Sequence, residues 1–209
     1  MFNKRIIMIE GCDRTGKSTF ISILTKKLIE KGKTPLVFHL MGPSKFQNLT
    51  FNNDDKSLIQ LAKFDDEYAI FDQMLNQNKN LIIILDRTHF GEYVWSSYWN
   101  REGKYTNYTN SKELANKHKN IFDQSLYIEY YISDLNILES RILDSQEDIN
   151  IFTINNKSIK ENINLVYSLY EKLKNIVIND FNISYESFNN ISDLNNVENF
   201  TDKLISKYI

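Results

Sequence analysis

One cysteine, Cys12, occurs in the 209 residues, so no intrachain disulfide can form. Arginine is scarce too, confined to Arg5, Arg14, Arg87, Arg101 and Arg141, while Asn, Ile and Lys are heavily used. No apolar run approaches the ~20 residues of a membrane span. The opening Met-Phe-Asn-Lys-Arg leads straight into an apolar strand, with no segment of signal length. Together these absences give the expectation of a soluble, cytoplasmic protein. A net charge of -2 supplies no global basic field for nucleic acid, so charge gives no reason to prefer a polymer over a small-molecule partner. The Asn-Lys-x-Asp guanine signature of GTPase switches is also missing. With no internal repeat, low-complexity block or linker, residues 1–209 read as one domain, long enough to bury a sizeable core.

What the chain does have is concentrated near its start. An apolar run, Ile6 to Ile9, stops at Glu10, and Gly11, Gly16, Lys17 and Ser18 then fill the pattern G-x-x-x-x-G-K-[ST]. Two glycines let the backbone curl so that successive N–H groups point at phosphate oxygens. A helix starting at the loop's end adds its positive dipole end. Lys17 brings a mobile charge to the β- and γ-phosphates of a nucleoside triphosphate, and Ser18 a hydroxyl ligand for Mg²⁺. The loop residues Gly11, Cys12, Asp13, Arg14, Thr15, Gly16, Lys17, Ser18 and Thr19 are therefore the candidate nucleotide site. Cys12 reads as a small side chain packed beneath the loop rather than a redox centre.

Along the rest of the chain, strand and helix patterns alternate. Residues 17–31 form an amphipathic helix that stops at Gly32, and residues 36–40 a strand followed by a Met41-Gly42-Pro43-Ser44 turn. Residues 45–55 read as loop and 56–78 as a long helix with an aromatic face. On it, Phe64 and Tyr68 belong either to the core or against a nucleobase. His39, near the end of the second strand, has no assigned role. Leu81–Leu85, a continuous aliphatic run, reads as a strand buried on both faces and ends in Asp86-Arg87. A helix over 88–100, a polar excursion over 101–112, a short helix over 113–122, a strand over 126–132 and a helix over 134–145 follow. Residues 146–157 show no period and are the expected lid. A helix over 158–178, a fifth strand over 182–188 and a closing helix over 193–209 complete the chain. Such alternation predicts an α/β fold, a doubly wound, five-stranded parallel sheet with helices on both faces.

A P-loop site needs a carboxylate on a neighbouring strand for Mg²⁺ or its water, and Asp86 supplies it. Arg87 beside it can grip a phosphate in two places. A metal-holding Asp next to a phosphate-gripping Arg points to two phosphorylated substrates meeting at one site.

Glu10-Gly-Cys-Asp-Arg-Thr-Gly-Lys-Ser-Thr19 resembles the phosphate loop of thymidylate kinases, and Asp86-Arg87 resembles their Asp-Arg motif. The resemblance implies a P-loop nucleotide kinase fold and phosphorylation of a nucleoside monophosphate, dTMP in that family. It implies that Asp13 contacts the acceptor's deoxyribose, that Arg87 grips its monophosphate and that Asp86 helps organise Mg²⁺. It also implies that Arg14 is the catalytic arginine, since one family type carries it in the loop and residues 146–157 contain none. Trp95 falls close to the family's base-facing aromatic, with core packing as the alternative. His89 belongs either at the helix start or in the acceptor pocket, and Glu147 and Asp148 either close on the acceptor or are solvated. A homodimer is a further family expectation.

The chain departs from the family at three places. Met41-Gly42-Pro43 lacks the arginine usually found before the proline, no arginine lies between residues 56 and 78, and Thr88-His89-Phe90-Gly91-Glu92-Tyr93 differs after Asp-Arg. Two other readings therefore stand beside the first. One is a kinase for a nucleoside or polynucleotide 5′-hydroxyl, with Asp13, Asp86 or Glu92 as base. The other is a nucleotide-binding module without transfer activity.

Overall fold

A computed structural model describes residues 3–40, 52–104, 106, 112–153, 157–191 and 193–209. Its centre is a sheet of β1 (Ile6–Glu10), β2 (Thr34–His39), β3 (Leu81–Asp86), β4 (Ser125–Tyr131) and β5 (Ser184–Asn189), in the order β2-β3-β1-β4-β5. Every neighbouring pair is parallel.

Among the described residues the helices are α1 (Lys17–Glu30), α2 (Asn53–Gln77), α3 (His89–Tyr98), α4 (Lys112–Lys117) and α5 (Lys119–Asp123). After β4 come α6 (Leu135–Leu143), α7 (Gln146–Phe152), α8 (Ile159–Asn179) and α9 (Leu194–Tyr208). Among the described residues none of them is long and apolar enough to cross a membrane.

Successive strand residues point to opposite faces, and each face has its own helical cover. Ile6 and Met8 of β1, with Ile83, Leu85 and Tyr127, join a core beneath α2, α3 and α8 that includes Tyr68, Phe90 and Tyr170. Ile7 and Ile9, with Ile82, Ile84, Leu126 and Ile128, join a second core beneath α1 and α9. Helices on both sides leave no solvent face for the middle strands, which is why β1 and β3 read as unbroken aliphatic runs.

Register then decides which residues meet at the carboxyl edge. Ile9 lies opposite Asp86, His39 opposite Asp86 from the other side, and Glu10 opposite Glu129. The chain turns outward from β1 toward β3 and β2 on one side and toward β4 and β5 on the other. An open α/β sheet leaves its ligand crevice at the carboxyl ends where the order reverses.

Two expectations are corrected. Residues 53–55, read as loop, form the first turn of α2. Asn52 caps it by accepting from the Asp55 N–H at 2.9 Å, and Asp54 and Asp55 face the helix's positive end. Within the stretch read as without period, Gln146–Phe152 is helical. Two turns are too short for periodicity to show. This helix is anchored at its end, where Phe152 is buried and its carbonyl accepts from Asn162 Nδ2 at 2.9 Å. The Met41-Gly42-Pro43 turn lies outside the described residues, as do the side chains of Glu147 and Asp148.

Candidate functional site

The β1–α1 turn is built from backbone shapes that its residue types permit. Gly11 has φ 147°, and any side chain there would run into the Tyr130 carbonyl of β4. Gly16 has φ 98° and packs against the Asn190 amide, which itself donates to the Thr15 carbonyl at 2.7 Å. Thr15 Oγ1 donates to the Cys12 carbonyl at 2.9 Å, closing the loop internally. Cys12 is fully buried, so packing is its role. Burial, with the Asp13 charge adding to it, pushes its thiol up to about 12. Disulfide-exchange reagents should therefore leave Cys12 unmodified in the native protein at pH 8 and label it on unfolding. The thiolate needed for attack is lost twice over, through access and through ionisation.

Lys17 is 93% withdrawn from solvent, and its ammonium donates to the carbonyls of Gly11 at 3.0 Å and Cys12 at 2.7 Å. Burial, and then the Arg87 charge, lower its affinity for the proton. An anion in the loop would relieve both.

Arg87 comes to the same place from β3. It has φ 69°, and its own N–H donates to the Ile9 carbonyl at 3.0 Å. Its guanidinium donates to Asp13 of the phosphate loop, and its carbon lies 5.5 Å from the centre of the Trp95 ring. Burial opposes its charge, but Asp13, with Glu10 and Asp86 behind it, prevails and raises its pKa. Two donors here are buried without a partner, Arg87 Nη1 and Trp95 Nε1. Asp13, Arg87 and Trp95, singled out separately in the sequence, are thus brought together.

Asp86 presents one oxygen to His39 Nδ1 at 2.8 Å, while Oδ1 is buried with no partner. Ser18 stands exposed in the first turn of α1. A hydroxyl and an orphaned carboxylate oxygen are hard oxygen donors of the kind Mg²⁺ takes. Among the described residues no three His, Cys, Asp or Glu gather as a metal cluster.

Other expected site residues lie elsewhere. Phe64 and Tyr68 are 2% and 0% exposed and pack in the core, the first of the two roles open to them. Tyr68 hydroxyl bonds instead to His89 Nδ1, and His89 stands at the helix start, as the first residue of α3, fully buried among Tyr68, Phe122 and Phe181. The Arg14 guanidinium donates to Ser145 Oγ at 2.6 Å, at the start of α7. Its charge therefore faces α7, and its backbone, φ 62°, is a third positive-φ position in the loop.

Several residues of the site were not anticipated. A cavity of about 280 Å³ adjoins the loop beside Gly16 and Thr19, lined also by Tyr130, Arg141, Asn190 and Asp193. Arg141 Nη1 donates to the Arg14 carbonyl at 3.2 Å. A larger groove of about 390 Å³ between β4, β5 and α8 includes no residue of either motif. The signal that could have found Arg141 is its rarity, and for Asn190 and Asp193 it is their place just beyond a strand's carboxyl end.

Sheet, loop and Asp-Arg edge lie on an α/β fold with a five-stranded, all-parallel sheet. No family model matches the chain, and no curated protein does. Among solved structures, that of the YorR protein from Bacillus subtilis in complex with phosphorylated GDP is similar. Its TM-score is 0.56 at 15% identity, covering 96% of this chain and 94% of that one.

Proposed function

We propose that the protein is an ATP- and Mg²⁺-dependent nucleoside monophosphate kinase, with dTMP or a related deoxynucleotide as acceptor. The observation that carries this reading is the meeting of Arg87, Asp13 and Trp95 at one side of the phosphate loop, with the Arg141–Asn190 cavity at Gly16 and Thr19. Two nucleotides sharing one loop need two sets of contacts, and these supply them. The nucleotide in the YorR complex supports nucleotide recognition by this fold.

In this reading the loop amides and Lys17 hold the donor phosphates, and the cavity takes the donor nucleoside, with the flat Arg141 guanidinium available to stack on its base. Arg87 holds the acceptor phosphate, Asp13 the sugar and Trp95 the base. Arg14, released from Ser145 as the segment around α7 closes, neutralises charge on the transferring group. Ser18 and Asp86 would hold Mg²⁺, which when bound supplies charge neutralisation at the phosphates. An acceptor phosphate is already a nucleophile, so no general base is needed. Catalysis rests on positioning, charge stabilisation and exclusion of water.

One observation favours the hydroxyl-kinase reading instead. Burial raises the pKa of Glu92, a feature of a carboxylate base, although Arg101 and Gln60 oppose the shift. A coupled ATP-consumption assay against monophosphates, nucleosides and a 5′-hydroxyl oligonucleotide separates the two. Turnover of a monophosphate is expected. Turnover of hydroxyl acceptors alone would replace the reading with the second one.

A further inference from the structure

The geometry points to Glu10 as the positioning residue for Arg87, acting through the Thr88 backbone. The inference rests on the reading of Arg87 as the acceptor-phosphate ligand. Period two along β1 turns Glu10 to the same face as Ile6 and Met8, under α3 and α8, and there its carboxylate is fully buried. Burying a carboxylate is expensive unless its oxygens are satisfied. Oε1 accepts from the Thr88 N–H at 2.5 Å and from Thr88 Oγ1 at 2.9 Å, and Oε2 accepts from the Tyr170 hydroxyl at 3.4 Å.

Thr88 is the residue after Arg87, and Arg87 holds a left-handed backbone that a long side chain adopts only when its surroundings impose it. The peptide before Arg87 is pinned by the Ile9 carbonyl and the peptide after it by Glu10. Consecutive residues of β1 thus grip both ends of the one residue that must aim a guanidinium at Asp13 and over Trp95. Thr88 Oγ1 in turn accepts from Phe90 N–H at 3.2 Å, so the same contact starts α3, which carries Trp95.

Gly91 records the closeness of the fit. A Cβ there would stand 2.9 Å from Glu10 Oε1 and 3.1 Å from Oε2, and no left-handed φ explains the glycine. Gly91 lies in the first turn of α3, where nothing but the carboxylate calls for a missing Cβ, so the glycine makes room for it.

The test uses Gly91→Ala, which displaces the Glu10 carboxylate without altering Arg87 or Trp95. In a Trp99→Phe background Trp95 is the sole tryptophan, and its emission without ligand reads the guanidinium above it. Gly91→Ala should shift that emission in the direction that Arg87→Met does. It should raise the KM of the monophosphate turned over in the panel at least tenfold and leave the KM of ATP within twofold. In a Glu10→Ala background Gly91→Ala should add nothing, while Glu10→Gln, whose amide oxygen still accepts from Thr88, should restore most of the acceptor affinity. Unchanged emission and acceptor KM in Gly91→Ala would overturn the inference, as would full additivity with Glu10→Ala or a Glu10→Gln protein as impaired as Glu10→Ala. Should Glu10→Ala fail to fold, Gly91→Ala and Glu10→Gln still decide. Should no monophosphate be turned over, the function reading fails while the ligand-free emission still judges Glu10.

Discussion

Replacing Lys17 by methionine is expected to lower kcat by ~10³-fold or more, the scale on which one preorganised charge contact in a water-poor site acts, while the melting temperature changes by only a few degrees. The ammonium is held by the Gly11 and Cys12 carbonyls inside the loop, under the burial and Arg87 repulsion that lower its pKa. Methionine fills nearly the same volume and removes a charge the fold bears at a cost. The loss should therefore appear in transfer and not in stability. Rate measurements paired with thermal melts by circular dichroism check it. A large fall in melting temperature would mean that Lys17 holds the loop together rather than serving the phosphates.

Replacing Arg87 by methionine is expected to raise the acceptor KM by ~10²-fold or more, from the loss of two charge-assisted hydrogen bonds worth about 1.5–3 kcal/mol each. ATP affinity should change little. Asp13 would be left without its cation, so part of the damage comes from that carboxylate. Combining Asp13→Asn with Arg87→Met should then cost less than the two single changes together. Arg87→Lys should behave more like methionine than like arginine, because an ammonium cannot serve Asp13 and a phosphate with the same planar fork. Initial rates at varied acceptor and ATP concentrations check the split. Equal rises in both KM values would remove Arg87 from the acceptor side.

The parts of this molecule that were legible in the sequence are those whose physics is local. Ile6–Ile9 and Leu81–Leu85 announce doubly covered strands because both faces lose water. The two-glycine loop needs φ values that its residues allow, and Asp86-Arg87 falls at a strand end because the aliphatic run stops there. The five-stranded parallel sheet followed from strands and helices taking turns. What was hidden depends on contacts between distant segments. Glu10 reads as the polar end of a strand, and only Thr88 and Tyr170, far along the chain, make it a buried acceptor. His39 gains meaning only from register, which sets it opposite Asp86. Phe64 and Tyr68 lie on an aromatic helix face whose two possible roles look alike in sequence, and packing against His89 and Phe122 decided for the core. Arg141, Asn190 and Asp193 come from separate elements that meet only at the loop.

Two nucleotides meeting phosphate to phosphate between Arg87 and the loop would be bridged by one molecule, which a titration can detect. Two nucleosides joined by five phosphates span such a site in one molecule, and linkage makes the second contact intramolecular. An adenosine–thymidine pentaphosphate is expected to bind about 10²-fold or more tighter than ATP or dTMP alone, and Arg87→Met to remove most of that gain. Binding no tighter than ATP, with Arg87→Met indifferent, would contradict that meeting of two nucleotides.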